Sequence, residues 1–251
     1  MIKSILPDFV VAADLFADPP DPMLFPEEDR AIGDADAQRR AEFTTARLCA
    51  HDALRKLGMR PSPVLPGLRG EPQWPAGVVG SITHCTGYRA AVVGVASKVA
   101  AIGIDAERNE PLVEGVLDAV SLPEEREALR RLAARHPRVH WDRVLWSTKE
   151  AVYKSWFPLT KRWLDFEDII VSVDPARGEF SARLRVPGPR VHGQQLSRFT
   201  GRWVADADLI ITAIVVPAPS RRASPAGSAS MAGPYEPAPP GDLVARASAR
   251  G

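Results

Sequence analysis

Short apolar runs bounded by turn residues predict β-strands in the first half of the chain. Residues 9–14 read FVVAAD, and residues 78–84 and 88–96 are two further runs joined by a Cys-Thr-Gly turn. Residues 101–107, AIGIDAE, are apolar until Asp105 and Glu107. We expect a strand for each run and a hairpin at the turn.

Helical spacing marks three other stretches. Residues 34–57 are rich in Ala, Arg, Glu and Leu, and Gly58 follows where a C-terminal cap belongs. Residues 122–135 form the second stretch and residues 141–156 the third. The third stretch has an apolar stripe at helical period, formed by Trp141, Val144, Leu145, Val152 and Trp156, with Ser147, Glu150 and Lys154 away from it.

The remainder of the chain predicts an antiparallel meander of short β segments, read in FEDIIVSVD, GEFSARLRV, GRWVADAD and LIITAIVV. Helices and strands mix without a repeated βαβ unit, which indicates the α+β class. Each half offers a long helix and several strands, with a junction near 98–108. We therefore predict an N-terminal lobe over 1–100 and a C-terminal lobe over 101–216.

Composition sets off the C-terminal end. Residues 217–251 hold seven of the 24 Pro and almost no large apolar groups, so we predict a disordered tail. Residues 1–216 hold 28 basic and 29 acidic residues, a net charge of −1 that disfavours nucleic-acid binding. No secretory signal or membrane-length apolar run is present, and two Cys are too few for a disulfide framework. We expect a cytoplasmic protein that binds no membrane.

Three small groups of residues could carry chemistry. Asp105 and Glu107 share one face of a strand, where their repulsion would be relieved by a hard divalent cation such as Mg²⁺. Glu150 and Lys154 are spaced i, i+4 on a helix, which equally suits a surface ion pair or a third carboxylate with an ammonium for phosphate. His84 ends a strand beside the hydroxyls of Ser81 and Thr83.

Basic residues occupy the first long helix. Arg39 and Arg47 lie eight residues apart and share one broad face, about 12 Å apart along the axis. A solvated helix face is the common meaning of such a run. The chain has no phosphate-binding P-loop, no dinucleotide fingerprint and no nucleophile elbow.

The order of these groups carries a resemblance. The segments GEPQWPAGVVGSITHC, GIDAE and WSTKEAVYKSWFPLTKRWL closely resemble the 4′-phosphopantetheinyl transferases, in their large pseudo-dimeric Sfp- and enterobactin-type subclass and its actinobacterial branch. The resemblance runs from about Phe25 to Val216. It implies two similar α+β lobes, each with a small antiparallel sheet and a long helix, and an active site in the cleft between them.

The resemblance also implies an activity. Such enzymes move the phosphopantetheine arm of coenzyme A onto a Ser of an apo acyl or peptidyl carrier protein and release 3′,5′-ADP. The carriers belong to fatty-acid, polyketide or nonribosomal-peptide synthases. Mg²⁺ is required, with Mn²⁺ as an alternative cation, and the enzyme is expected to be a monomer.

Residue by residue, the resemblance implies a metal site and a coenzyme A site. Asp105, Glu107 and Glu150 would hold the cation, with the backbone of Ala106 beside it. Glu150 would also take the proton of the carrier Ser, directly or through a metal-bound water. The groups expected to contact coenzyme A are Arg39 and Arg47 at its 3′-phosphate, Lys154 at the pyrophosphate, Thr83 and His84 at phosphate, and the neighbouring Ser81, Lys149 and Arg69.

One position departs from the family pattern. The nucleotide-contacting loop reads Leu68-Arg69-Gly70-Glu71-Pro72, with Glu71 where Sfp-type members commonly have Lys. Arg69 would then supply the positive charge. Two other functions stay open: another Mg²⁺-dependent nucleotide phosphotransferase or hydrolase, and a non-catalytic module that binds coenzyme A or a carrier protein.

Overall fold

A long helix on a three-stranded antiparallel sheet forms the first half of the computed structural model, which describes residues 1–20, 22–191 and 193–218. We call residues 1–98 the N-terminal lobe and residues 99–218 the C-terminal lobe. β5 lies between β1 and β4, and β2 and β3 form a small separate hairpin. The N-terminal elements, after a 3-10 turn at Ile2–Ile5, are β1 (Val10–Leu15), α1 (Pro26–Ile32), α2 (Ala37–Lys56), β2 (Leu65–Pro66), β3 (Pro72–Gln73), β4 (Val78–Cys85) and β5 (Tyr88–Val95).

Local signals fix both ends of α2. The Asp36 carboxylate accepts the Arg39 N–H at 2.8 Å and caps the first turn. Gly58, at φ +83°, provides the left-handed residue that ends the helix. The helix predicted over 34–57 is confirmed to within three residues, and so are the strands and the hairpin on either side of Gly87.

The second half of the chain forms a five-stranded antiparallel sheet in the order β6-β12-β11-β8-β7. Strands β7, β8, β11 and β12 pair in chain order, with the separate β9–β10 hairpin between β8 and β11, so the predicted antiparallel meander is confirmed. Strand β6 joins it at the edge beside β12. The C-terminal elements are β6 (Val99–Arg108), α3 (Val116–Val120), α4 (Pro123–Arg135), α5 (Trp141–Thr160), β7 (Ile169–Asp174), β8 (Glu179–Leu184), β9 (Arg190–Val191), β10 (Gln194–Gln195), β11 (Arg198–Ala205) and β12 (Leu209–Pro217), with a 3-10 turn at Phe166–Asp168.

Helix α5 extends one turn beyond its predicted end at Trp156. It passes through Pro158, which costs one backbone hydrogen bond, and ends at Lys161 in a left-handed conformation. The predicted apolar stripe of α5 is confirmed, because all five of its residues lie in the core between α5 and the five-stranded sheet. Burial of Trp156 and Phe157 holds the extra turn in place.

The two lobes meet through the free edges of their sheets, β4 and β6. The Ile104 N–H donates to the Ser81 hydroxyl at 3.1 Å, and the Ala106 N–H donates to the Thr83 hydroxyl at 3.0 Å. The two hydroxyls thus accept hydrogen bonds from buried backbone N–H groups on the edge of β6, which have no neighbouring strand to bind. A core of residues from β1, β5, β6 and β12 fills the space between the sheets. The lobes are therefore halves of one packed body, which extends to Ala218.

The predicted boundaries fall close to element ends. The division at residue 100 lies just inside β6, and the predicted tail begins at Pro217, the last residue of β12. Residues 219–251 of that tail lie outside the described residues, and the two-domain division stays a prediction. Within the residues that the structure describes, no helix is long and apolar enough to cross a membrane.

Candidate active site

Strand β6 and helix α5 bring the predicted acidic residues together. Ile102, Ile104 and Ala106 point into the core between the sheets. The opposite face of β6 lies against α5 so closely that a Cβ on Gly103 would sit 2.0 Å from the Ala151 carbonyl oxygen. The predicted division of the strand into two faces is confirmed, and Asp105 faces α5.

Asp105 is the most enclosed of the three predicted metal-binding carboxylates, with 5% of its surface exposed. Its Oδ1 accepts the Lys154 ammonium at 2.7 Å and the Thr83 hydroxyl at 3.2 Å. Its Oδ2 is buried without a hydrogen-bond partner among the described residues. An unpartnered buried carboxylate oxygen is costly unless a ligand or cation satisfies it.

Glu107 is held by two α5 side chains that the sequence analysis did not single out. The Trp146 indole N–H donates to Oε1 at 2.9 Å, and the Arg143 guanidinium donates to Oε2 at 3.1 Å. Burial and the nearby Asp105 raise the pKa of Glu107 to about 7 despite these two donors. Residues 143, 146, 150 and 154 are spaced at helical period, and this spacing is the signal in the sequence that could have found Arg143 and Trp146.

Glu150 lies half-buried on α5 near Asp105. Burial and the Asp105 charge raise the pKa of Glu150 to about 7, and only Lys154 opposes the shift. Burial disfavours the charged Lys154, but the carboxylates of Asp105 and Glu150 outweigh that effect and raise the pKa of Lys154. Lys154 and Arg143 thus pair with Asp105 and Glu107, and neither ion pair includes Glu150.

Asp105, Glu107 and Glu150 therefore have the chemistry to bind a hard cation, although their oxygen atoms are not arranged in a coordination geometry. Their oxygen atoms are the donors that Mg²⁺ prefers, and a cation would offset the burial and the Asp105 charge that together raise the pKa values of Glu107 and Glu150. Among the described residues, no group of three His, Cys, Asp or Glu side chains already has a metal-binding arrangement. Hydrogen bonds from Lys154, Trp146 and Arg143 instead occupy three of the carboxylate oxygens.

A basic cluster from the N-terminal lobe adjoins this acidic group. The Arg39 guanidinium contacts His84 Nε2 at 3.4 Å, and Glu42, a residue the sequence analysis missed, lies 3.5 Å from the same nitrogen. Partial burial, then the charge of Lys154, lowers the pKa of His84 to about 4. A shift in this direction favours the neutral form of His84 at pH 7.

Arg47 is buried in the N-terminal lobe. Its Nε donates to the Val64 carbonyl at 2.6 Å, and its guanidinium lies 4.1 Å from the centre of the Phe43 ring. Burial lowers the pKa of Arg47 to about 10, so it stays charged at neutral pH, and the Arg39 charge contributes to the shift. Arg39 and Arg47 thus lie close enough to influence each other.

Two predicted ligand-binding hydroxyls have structural tasks. Ser81 and Thr83 are buried, and both hydroxyls accept β6 backbone N–H groups. Ala106 is also buried, with its N–H bound to Thr83. The geometry favours Ser81 and Thr83 as the junction between the lobes, and their contact with phosphate stays a prediction.

Lys149 points away from the acidic cluster, which argues against its predicted contact with coenzyme A. It is fully buried, and its ammonium donates to Glu125 at 2.8 Å, to the Val120 carbonyl at 2.8 Å and to the Phe166 carbonyl at 2.9 Å. All three N–H groups are therefore used. A single step along a helix rotates a side chain by about 100°, which separates Lys149 from its neighbour Glu150.

The loop between β2 and β3 approaches the end of α5. The Arg69 guanidinium lies 5.9 Å from the Trp163 ring centre. The backbone N–H of Arg69 donates to the Glu71 carboxylate at 3.0 Å. Lys161 lies 3.6 Å from the other Glu71 oxygen. Glu71 thus organises the loop and pairs with a basic residue of the opposite lobe, while the Arg69 side chain remains exposed.

The fold and site together define a two-lobed α+β protein in which Arg39 and His84 of the N-terminal lobe adjoin Lys154 and the three carboxylates of the C-terminal lobe. Residues 27–94 match the 4′-phosphopantetheinyl transferase N-terminal domain, and residues 101–212 match the 4′-phosphopantetheinyl transferase superfamily. The chain belongs to this superfamily and is a phosphopantetheinyl transferase.

Individual relatives agree over most of the chain. The 4′-phosphopantetheinyl transferase Svp of Streptomyces mobaraensis is 53% identical over 223 residues, which are 88% of this chain and 91% of that protein. The transferase PptT of Mycobacterium tuberculosis is 46% identical over 86% of this chain and 98% of its own. Enterobactin synthase component D of Salmonella typhi is 30% identical over 54% of this chain and 55% of its own. The predicted actinobacterial resemblance is confirmed.

Proposed function

We propose that this enzyme transfers the phosphopantetheine arm of coenzyme A to a Ser of an apo acyl or peptidyl carrier protein and releases 3′,5′-ADP. The observation that carries the proposal is the group formed by Asp105, Glu107 and Glu150 around Lys154, with the basic cluster of Arg39 and His84 beside it. Coenzyme A presents a pyrophosphate and a 3′-phosphate, and both need a local concentration of positive charge.

A divalent cation, Mg²⁺ or Mn²⁺, would be held by Asp105, Glu107 and Glu150. The unpartnered Oδ2 of Asp105 and the raised pKa values of the two Glu residues support this assignment. When bound, the cation would neutralise pyrophosphate charge, which is the main requirement of phosphoryl-type transfer. The backbone of Ala106 lies between the two β6 ligands, and its predicted part in the site rests on that adjacency.

Four basic groups would bind the phosphates. Lys154 is pulled into the site by Asp105 and is placed to contact the pyrophosphate. Arg39 extends the positive surface across the junction between the lobes, and His84 beside it would offer a ring N–H to a phosphate oxygen. Arg47 would reach the 3′-phosphate from α2. A guanidinium can bind a phosphate through two parallel hydrogen bonds, which suits Arg47 to that task.

Glu150 is the group we assign to the carrier Ser proton. Its carboxylate has no hydrogen-bond donor among the described side chains, unlike Asp105 and Glu107, so it is free to accept one. A pKa near 7 before the cation binds is well matched to general-base catalysis at neutral pH. Bound cation would lower that pKa, so transfer through one intervening water is an equally consistent route.

We further infer that one chain forms a complete site in a reducing compartment. Arg39 and His84 of the N-terminal lobe adjoin Lys154 and Asp105 of the C-terminal lobe within the same chain, which supports a functional monomer. Cys49 and Cys85 are free thiols, as is usual in the cytoplasm.

The decisive experiment measures the intact mass of an apo carrier protein after incubation with enzyme, coenzyme A and Mg²⁺. Three carriers are used, from a fatty-acid, a polyketide and a nonribosomal-peptide system, each with an EDTA control. We expect a mass gain of one phosphopantetheine that EDTA abolishes and Mn²⁺ restores. Hydrolysis of coenzyme A without carrier modification would contradict the proposal in favour of a hydrolase, and binding without turnover would favour a non-catalytic module.

A further inference from the structure

The same acidic clamp occurs once in each lobe. Glu28 and Glu125 stand at the ends of two similar segments, Phe25-Pro26-Glu27-Glu28 and Leu122-Pro123-Glu124-Glu125. Each Glu is the third residue of its helix and accepts the N–H of the residue before the helix, Phe25 at 3.1 Å or Leu122 at 2.8 Å. Both Glu residues are buried, at 0% and 2% exposure.

Each clamp also joins the long helix of its lobe to the segment that follows that helix. Glu28 accepts His51 Nε2 of α2 at 2.9 Å and the Val64 N–H, just before β2, at 2.8 Å. Glu125 accepts the Lys149 ammonium of α5 at 2.8 Å and the Val171 N–H of β7 at 2.8 Å. The two lobes thus use the same three connections, with His in one and Lys in the other.

The clamp of the C-terminal lobe is connected to the acidic cluster through helix α5. Lys149 precedes Glu150 on α5 and is held by three hydrogen bonds, so α5 cannot rotate about its axis without breaking them. Another face of the helix, about 100–140° away, carries Glu150 and Lys154, and Lys154 contacts Asp105. Small rotations of α5 would therefore move the groups assigned to the transfer.

The clamp of the N-terminal lobe acts on a phosphate-binding residue instead. Glu28 holds the N–H of Val64, and the carbonyl of Val64 accepts Arg47 Nε at 2.6 Å. One residue of backbone therefore connects Glu28 to Arg47. Stability alone is a weak reason for such an arrangement, because apolar side chains of similar volume often replace a buried ion pair without loss.

We propose that Glu125–Lys149 and Glu28–His51 are two positioning pairs that serve different steps of the reaction. Glu125 and Lys149 orient Glu150 and Lys154 for transfer, and Glu28 and His51 orient Arg47 for coenzyme A binding. The inference deepens the proposed function and rests on it. It assigns to Lys149 a positioning role in place of a ligand contact.

Two matched variants test the proposal by separating kcat from KM. Lys149→Met keeps most of the aliphatic side chain and removes the ammonium. We therefore expect kcat to fall about tenfold or more, while KM for coenzyme A changes less than about threefold. In His51→Phe the ring is kept and the donor is lost, so KM for coenzyme A should rise about fivefold or more with kcat within about twofold. His51→Gln, whose amide nitrogen can replace Nε2, should restore the KM.

Val144→Ala provides the control for lost stability. Val144 lies in the core on another face of α5, and its truncation lowers Tm without touching either clamp. If both clamp variants change kcat and KM together, or no more than Val144→Ala does at a matched fall in Tm, the clamps are structural and the proposal is wrong. If Lys149→Met does not unfold cooperatively, the double variant Glu125→Gln/Lys149→Met, which leaves no unpaired charge, takes its place under the same criteria.

Calorimetric binding of coenzyme A keeps this test separate from the proposed function. His51→Phe should weaken the measured affinity about fivefold or more, and Lys149→Met should change it less than about twofold. If the wild-type protein transfers no phosphopantetheine but the two variants show this difference in affinity, the proposed transfer is wrong and the positioning role of the N-terminal clamp is supported. Active wild-type enzyme with equal affinities in both variants would overturn the positioning proposal alone.

Discussion

The two lobes share a framework and differ in the charge that their long helices present. Both α2 and α5 are 20-residue helices packed on an antiparallel sheet and tied to an acidic clamp. On α2 the groups assigned to ligand are Arg39 and Arg47, whereas on α5 they are Glu150 and Lys154. Under the proposed function, α2 would bind phosphate groups of coenzyme A, and α5 would supply a cation ligand, a proton acceptor and one further phosphate contact.

The lobes also differ in how closely the helix approaches its sheet. Helix α5 meets β6 at Gly103, which has no side chain between the two elements. Helix α2 instead packs on strands that present Ala13, Ala91 and Val93. The closer contact in the C-terminal lobe brings the α5 side chains within hydrogen-bond distance of Asp105 and Glu107. The following predictions test this difference between the lobes.

Replacement of Gly103 should give the largest effect. A Cβ at this position would lie 2.0 Å from the Ala151 carbonyl oxygen and 2.3 Å from the Ser155 hydroxyl, so Gly103→Ala must displace α5. We expect a loss of about 3 kcal/mol in the free energy of unfolding, measured by urea denaturation, together with loss of activity. Gly58→Ala is the control in the N-terminal lobe, where the added Cβ meets open space and the strain at φ +83° costs about 1 kcal/mol. Equal losses in the two variants would contradict the close approach.

Loss of the Glu150 charge tests the division of tasks. Glu150→Gln keeps the shape of the side chain and removes both the proton acceptor and a predicted cation ligand. We expect kcat to fall about 100-fold or more, the size usual for a key electrostatic group. Glu127→Gln, at an exposed position on α4, should leave kcat unchanged. Turnover by Glu150→Gln within about threefold of wild type would remove Glu150 from the mechanism.

The pattern within single elements was predictable because it depends on local geometry. Alternation along β6 placed Asp105 opposite Ile104, and the helical spacing of α5 separated Glu150 and Lys154 from the apolar stripe. Both predictions hold because the 2- and 3.6-residue periods fix which side chains share a face. The same rule, applied to Lys149, would have directed it away from Glu150.

The contacts between elements were not predictable from these periods. Arg143 and Trp146 bind Glu107 only because α5 crosses β6 at Gly103, and sequence spacing does not report that crossing. The hydroxyls of Ser81 and Thr83 resembled phosphate donors, but the open edge of β6 supplies N–H groups for them to accept. A polar side chain near a site can bind a backbone group as readily as it binds a ligand, and only the tertiary structure shows which partner it has.

A comparison of two ligands would sharpen the role of the N-terminal lobe. Arg47→Ala should weaken coenzyme A about tenfold more than dephospho-coenzyme A, which lacks the 3′-phosphate, because charge-assisted hydrogen bonds to that group are lost. The ratio of the two dissociation constants, measured by calorimetry, cancels any general loss of folding. Arg55→Ala, an exposed residue of the same helix, should leave the ratio unchanged. An unchanged ratio in Arg47→Ala would place the 3′-phosphate elsewhere.

The smallest predicted effect is a pH-dependent stabilisation by Mg²⁺. It depends on how stability changes with pH, and the titratable groups of the two lobes change stability in opposite directions. The pKa values of Glu107 and Glu150 are raised to about 7 from an ordinary 4.5, so the folded protein binds extra protons and loses stability as pH rises through that interval. The pKa of His84 is lowered to about 4, so its contribution has the opposite sign, gaining stability as pH rises from about 4 to its ordinary 6.5.

The difference between scans with and without Mg²⁺ isolates the carboxylates, because His84 contributes to both scans. Protons compete with the cation at pH 5, whereas at pH 8 the carboxylates are charged and their repulsion is largest. We therefore expect saturating Mg²⁺ to raise Tm by about 4 °C at pH 8 and by about 1 °C or less at pH 5. Asp105→Asn should abolish the gain at pH 8, and Arg55→Ala should retain it. An equal gain at both pH values would mean that the cation binds away from Glu107 and Glu150, and the C-terminal lobe would then lose its assigned task.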